Sequence, residues 1–310
     1  IVTSTDYVQW YIKRLDNYFR TYTEQNTFNI VHAHDPEALS YFINIKCKKI
    51  LTIHSKGGSA TETRESGLEN KRIGIPLKKL EHMERVAVQL ADHITFPSRA
   101  AKELFFRKND IEYPESKISI IYNGIDIDFI KKIESNKRIF NKYNIRTNAT
   151  MYIFNVSEHV AQKNIPLLIK VVNVLVNEWK RDIIFINVGM GEATSDIQNM
   201  VKILELQKYV KFLGKIPNED IIAFMKSTDC FVMTSKQVIF DLVVLEALAS
   251  GAAVFVSNDG GNKEIINHGI NGYLHQSNNE HVIAKSLLKN NFSRVKKRAE
   301  DSALPFSINY

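Results

Sequence analysis

Short apolar runs rich in β-branched residues recur along this chain, and a segment of helical periodicity follows nearly every one. No other property constrains the fold as much. Strands are predicted at 29–33, 49–53, 93–96 and 118–122, then at 151–156, 183–188, 210–213, 230–234 and 252–257. Helices are predicted at 7–21, 37–43, 76–90 and 99–106 in the first half, and at 165–179, 194–206, 218–227, 242–250 and 263–267 in the second. Within 76–90 the apolar residues Leu77, Leu80, Met83, Val86, Ala87 and Leu90 recur at helical spacing. Strands alternating with helices at this interval imply parallel pairing through right-handed crossovers. Such sheets take ligands beyond the carboxyl ends of their strands. The expected class is α/β with parallel sheets.

A chain of 310 residues has room for two domains of ordinary size. The stretch 131–150 (KKIESNKRIFNKYNIRTNAT) is polar and charged and follows an NGID turn, which predicts domains 1–147 and 148–310. With 44% apolar and 24% charged residues, the chain is not of a disordered or collagen-like class. Its two cysteines, Cys47 and Cys230, lie in different halves. No disulfide framework is expected, and a reducing, cytoplasmic setting is. The longest apolar run, 242–256, contains Glu246 and a Ser-Gly turn and does not read as a membrane span. The formal net charge is +7, with Lys46, Lys48, Lys49, Lys71, Arg72, Lys78 and Lys79 in the first half. An ordinary lysine-rich surface accounts for that charge; nucleic acid, phosphorylated small molecules and an anionic membrane surface are partners that would also suit it. The interleaved aromatics and basics of RNA-binding proteins are absent, so nucleic acid is not an expected partner.

The densest chemistry lies in 209–274, where strands, turns and helices follow one another closely. Glu246 falls just inside a helix that follows a strand and a loop. That arrangement suits a nucleotide, with amides at the helix start facing phosphates and a carboxylate facing ribose hydroxyls. In the first half, His54 ends an apolar strand ahead of a flexible segment, 55–66, that holds Gly57 and Gly58. His32, His34 and Asp35 cluster at the end of the preceding strand. No metal ion is assigned to them.

Nine motifs in one order carry a resemblance to the GT-B retaining glycosyltransferases of the family 4 (group 1) type. They are IVHAHD (30–35), LTIH (51–54), ADHITFPS (91–98), IIYNGID (120–126), QKNIPLLI (162–169), NVGMGE (187–192), VKFLGKIP (210–217), LEALASGAAV (245–254) and GGNKEII (260–266). The resemblance implies two Rossmann-like domains facing a cleft, the first for the acceptor and the second for the nucleotide-sugar. It also implies that both ends are truncated, with a first strand and glycine-rich loop ahead of Ile1 and a closing helix starting at 305–310.

By the same resemblance, the donor would be held by Lys163, Ile216, Leu242, Val243 and Glu246. Lys163 would face the diphosphate, the backbone near Ile216 would seat the base, and Glu246 would bind ribose. His54 and Lys163 would be the catalytic residues, with His54 near the acceptor and the transferred sugar. The implied partners are a nucleotide-sugar donor and a carbohydrate or lipid-linked acceptor, with a peripheral contact at the inner face of a membrane. Neither metal nor other cofactor is implied.

Three positions depart from the family pattern. Glu158 replaces an arginine five residues before Lys163, Val238 replaces the first glutamate of a pair, and Asp241 replaces a glycine. His159 would assist phosphate binding only when protonated, and Lys236 would restore some positive charge. Asp241 is expected to cap the helix that follows it. These departures motivate an alternative, a catalytically silent binding partner of the same fold. A sugar-nucleotide epimerase of similar architecture fits the Glu246 segment less well.

Overall fold

A computed structural model describes residues 4–65, 74–109, 111–276 and 278–308. The expected basic residues Lys71 and Arg72 lie outside the described residues. The chain divides into two compact units, Ile1–Tyr122 and Asn123–Tyr310.

The first unit has one parallel sheet of β1 (Ile30–Ala33), β2 (Lys48–Thr52), β3 (His93–Phe96) and β4 (Ile118–Ile120), in that order. The helices Ser4–Gln25, Pro36–Ser40, Gly74–Leu90 and Arg99–Asn109 fall where periodicity places them. Leu77, Leu80, Met83 and Ala87 are buried, as one apolar face requires. The segment expected to be flexible is instead ordered through a further helix, Ser59–Glu65. The Gly58 amide donates to Ser55 Oγ, Asn109 Nδ2 donates to the Gly57 carbonyl, and the Lys56 amide donates to Glu62 Oε1. Ser66 lies outside the described residues.

The second unit is a six-stranded parallel sheet. Its strands are β5 (Met151–Val156), β6 (Ile183–Val188), β7 (Val210–Phe212), β8 (Cys230–Met233), β9 (Val254–Ser257) and β10 (Gly272–His275). Their order is β10-β9-β8-β5-β6-β7. From β5 the chain builds outward to β6 and β7, then crosses back to β8 on the other side of β5 and continues to β9 and β10. The neighbours β5 and β8 therefore mark the switch point of a Rossmann-type sheet. Every residue of β6 is buried, and alternate residues feed two cores. Phe154, Ile186 and Phe231 enter one core; Ile153, Phe185 and Val232 enter the other. A parallel sheet covered on both faces reads this way.

Three expectations are revised. The division falls at Tyr122/Asn123 rather than at 147/148. Residues 123–147 read as polar, but Ile125, Ile127, Ile130, Ile139, Phe140 and Ile145 are buried in the second unit's core. Two short helices, Ile127–Lys132 and Arg138–Lys142, carry most of them. The strand β10 was not predicted; it pairs with β9 from Gly272↔Val254 to His275↔Ser257. The closing helix expected from 305 onward does not begin there. Leu304–Phe306 is one 3-10 turn, after which Ser307 bridges to Ile125 and the Ile308 amide donates to the Ile125 carbonyl. Residues 309 and 310 lie outside the described residues.

Candidate nucleotide site in the second unit

The loops that leave β5 and β8 start from the switch point, where sheets of this kind take their ligands. Lys163 lies in the first loop, at the end of a 3-10 turn, Ala161–Lys163, that leads into the helix Ile165–Asn173. Asp241 ends the second loop and opens the helix Leu242–Ala249. The loops are joined backbone to backbone, Lys236 amide to Gln162 carbonyl at 2.8 Å, and by the Thr234 hydroxyl, which donates to the Asn164 carbonyl at 3.0 Å.

A third link crosses the same gap. Lys163 Nζ donates to Asp241 Oδ1 at 2.7 Å. Asp241 occupies the N-cap position, but its side chain makes no capping hydrogen bond. The expected capping role is thus corrected: the carboxylate turns to the lysine instead. Its other oxygen, Oδ2, is buried without a hydrogen-bond partner. The two side chains are 25% and 16% exposed, so solvent screens this pair less than a surface pair.

Glu246 stands one turn into the same helix. Val244, Leu245, Ala247 and Leu248 are buried around it, whereas Leu242, Val243 and Glu246 keep some exposure. Glu246 lies four residues after Leu242 and three after Val243, so it shares a face with both. Glu246 is half-buried and its carboxylate has no hydrogen-bond or ion-pair partner among the described residues. Burial pushes its carboxyl above the usual glutamate range. A half-buried acceptor without a donor is the feature that a ligand's hydroxyls would complete.

The remaining walls come from β6 and β7. The Gly189 amide donates to the Gly214 carbonyl, and the Ser157 amide to the Val188 carbonyl, so three consecutive strand-end loops are stitched together. At Gly189 (φ 130°) a Cβ would land on the Ser157 carbonyl oxygen. Only glycine permits that approach. Ile216, just past β7, is half-buried against the core.

Beneath these loops lies a polar network that sequence reasoning missed. Asn155 and Asn187 face each other across the β5–β6 register, and Asn187 Nδ2 donates to Asn155 Oδ1 at 2.9 Å. Ser157 Oγ donates to the same oxygen, and Asn155 Nδ2 donates to the Val232 carbonyl. His159 Nε2 donates to Asn187 Oδ1 at 2.7 Å, and Nδ1 meets the Thr194 hydroxyl at 2.9 Å. His159 is fully buried. It is therefore a strut between loops and not a phosphate ligand. An asparagine within each of two apolar strands (MYIFNV and IIFINV) was the signal available in the sequence.

The departures fall as follows. Glu158 is exposed, as is Lys236. Val238 is buried, held through its backbone by Asp259 Oδ1 and the Gly261 amide. Gly260 has φ 47°, and a Cβ there would land on the Val238 carbonyl oxygen. The turn 258–261 thus fixes the 238–241 loop although valine replaces a hydrogen-bonding side chain in it.

His54 belongs to the first unit. His34 Nδ1 and His54 Nε2 lie 2.9 Å apart, their rings stacked, and His32 Nε2 meets the Thr52 hydroxyl at 2.7 Å. Desolvation, then repulsion from His34, holds both His32 and His54 below the usual imidazole range. His34 thus joins the other two, by a hydrogen bond to His54 and a ring contact with His32. Among the described residues, no group of three His, Cys, Asp or Glu is disposed to hold a metal ion.

Comparison with known proteins bears on the family and the fold. Residues 135–299 match the family described as Glycosyl transferases group 1, and residues 4–129 match Glycosyltransferase Family 4. An uncharacterized glycosyltransferase of Methanocaldococcus jannaschii is 29% identical over 251 residues, 80% of this chain and 61% of that protein. The N-acetyl-alpha-D-glucosaminyl L-malate synthase of Bacillus anthracis is 26% identical, over 63% of this chain and 49% of its own length. The chain thus spans roughly half to three fifths of these relatives. The UDP-Gal:alpha-D-GlcNAc-diphosphoundecaprenol alpha-1,3-galactosyltransferase of Escherichia coli is 27% identical over 86% of this chain and 67% of its own length. Among solved structures, Anabaena Alr3699/HepE in complex with UDP and glucose superposes with a TM-score of 0.74 at 18% identity, covering 94% of this chain and 77% of that one.

Proposed function

The chain belongs to the group 1 glycosyltransferases, with their GT-B fold, and from that premise we propose that it transfers a sugar from a nucleotide-sugar donor to a carbohydrate or lipid-linked acceptor with retention of configuration. The observation that carries this reading is the half-buried Glu246, without a hydrogen-bond partner among the described residues, on the helix whose first residue follows Asp241, the partner of Lys163. A ribose offers two adjacent hydroxyls, and a carboxylate accepts both without a proton of its own. In transfer, the bond from the anomeric carbon to the diphosphate oxygen breaks and a bond to the acceptor oxygen forms. The acceptor's proton leaves with the departing phosphate. Negative charge grows on the diphosphate, and the Lys163 ammonium with the first amides of the helix Leu242–Ala249 stabilises it. Leu242 and Val243 contribute those amides, and Ile216 flanks the base.

His54 is assigned to the acceptor in the first unit. We assign neither metal nor other cofactor to the reaction, and no nucleic acid to its partners. The names of the relatives support a nucleotide donor: one acts on UDP-Gal, and a structural neighbour holds UDP. The same proposal places the chain in the cytoplasm, with its basic first unit at an anionic membrane face. Among the described residues, no helix is long and apolar enough to cross a membrane.

Calorimetry tests the donor site. Micromolar binding of uridine, guanosine or adenosine, or of one of their 5′-diphosphates, supports the reading. Absence of binding by all of them contradicts it.

A further inference from the structure

We propose that Asp241 is a resident anion: its carboxylate occupies the place of a donor phosphate at Lys163 and must be displaced before a diphosphate binds. The inference rests on the nucleotide reading above and adds a determinant of what the site prefers. Three observations carry it. Asp241 sits where a capping residue would sit, yet leaves the helix amides alone. Its Oδ1 holds Lys163 Nζ at 2.7 Å, across 78 positions of sequence. Its Oδ2 is buried with no hydrogen-bond partner among the described residues.

An incoming phosphate competes for the same ammonium and is repelled by the same carboxylate. Separating the pair leaves a poorly solvated carboxylate with no partner, which is unfavourable. A nucleoside carries no phosphate and meets neither obstacle. The discrimination falls hardest on a free nucleoside diphosphate, which carries more charge than the diester of a sugar donor. Asp241 thereby favours discharge of the nucleotide product. Glu158, exposed in the loop that carries Lys163, adds charge of the same sign.

The test is calorimetry on the full chain with uridine, guanosine and adenosine and with their 5′-diphosphates, comparing wild type, Asp241→Asn and Asp241→Gly. For the base that binds, the diphosphate is expected to bind about tenfold tighter to both variants, as a freed ammonium gains a charge-assisted bond. Nucleoside affinity is expected to stay unchanged, and the salt dependence of diphosphate binding to steepen once Lys163 is released. Diphosphate affinity that stays level or falls in both variants, with nucleoside binding intact, overturns the role of Asp241 and leaves the nucleotide site standing. No binding of any nucleoside or diphosphate to any of the three proteins overturns the nucleotide site and this inference with it.

Discussion

The proposed ribose side and the proposed phosphate side of the second unit's site meet at one helix, Leu242–Ala249, yet they stand in opposite states. Glu246 is half-buried with no hydrogen-bond partner among the described residues, and burial raises its carboxyl. Lys163, across the gap, is already held by Asp241. The first is a group awaiting a ligand; the second has a partner that a ligand must replace. The difference teaches that residues at a family's motif positions can be kept while one neighbouring residue changes what they are free to do. Glycine at 241 would leave the lysine open, whereas aspartate neutralises it from within.

The largest way to break the comparison is at its open end. Glu246→Ala should lower nucleoside affinity about a hundredfold, since two hydrogen bonds to a charged group are lost at roughly 1.5 kcal/mol each or more. Calorimetry checks this, and unchanged affinity would remove Glu246 from the site. Next comes the turn that holds both sides in register. Gly260→Ala forces a side chain against the Val238 carbonyl at φ 47°. It should destabilise the second unit by ~2 kcal/mol, or roughly 6 °C in melting temperature. A melting curve that does not move would show that the turn adapts.

A smaller effect is expected at the occupied end. Lys163→Ala should weaken diphosphate binding only about threefold, because the exchange of one anion for another returns little. A loss of a hundredfold would mean that Asp241 does not compete. The last test separates the sides by pH. Ribose binding needs the ionised Glu246, and its raised pKa means that protonation begins above the usual glutamate range. Nucleoside affinity should therefore be highest at alkaline pH and fall on acidification, starting at higher pH than for an exposed glutamate. Glu246→Gln should flatten the profile.

Much of this arrangement was legible in the sequence, and the residues show why the rest was not. The strands β3, β5 and β6 and the helix Asn218–Ser227 run as periodicity predicts, because local pattern and final burial agree. The helix Phe292–Ala303 was missed; of its residues only Val295, Ala299 and Ala303 are buried, a thin stripe among charges. The 123–147 stretch misled for a related reason: its isoleucines are spread between lysines and asparagines, yet they pack into the second unit. The place of Glu246 could be read from its helix alone. The state of Lys163 could not, because its partner lies 78 positions away and an aspartate before a helix already has a sufficient local explanation. His159 likewise looked available until its buried partners were seen.

The most direct measurement is a crystal structure of the chain with the nucleoside diphosphate that binds it. The account predicts ribose hydroxyl oxygens about 2.7 Å from the Glu246 carboxylate, with Lys163 Nζ turned from Asp241 to a phosphate oxygen. A nucleotide bound away from Glu246, or phosphates in place beside an intact Lys163–Asp241 pair, would contradict it.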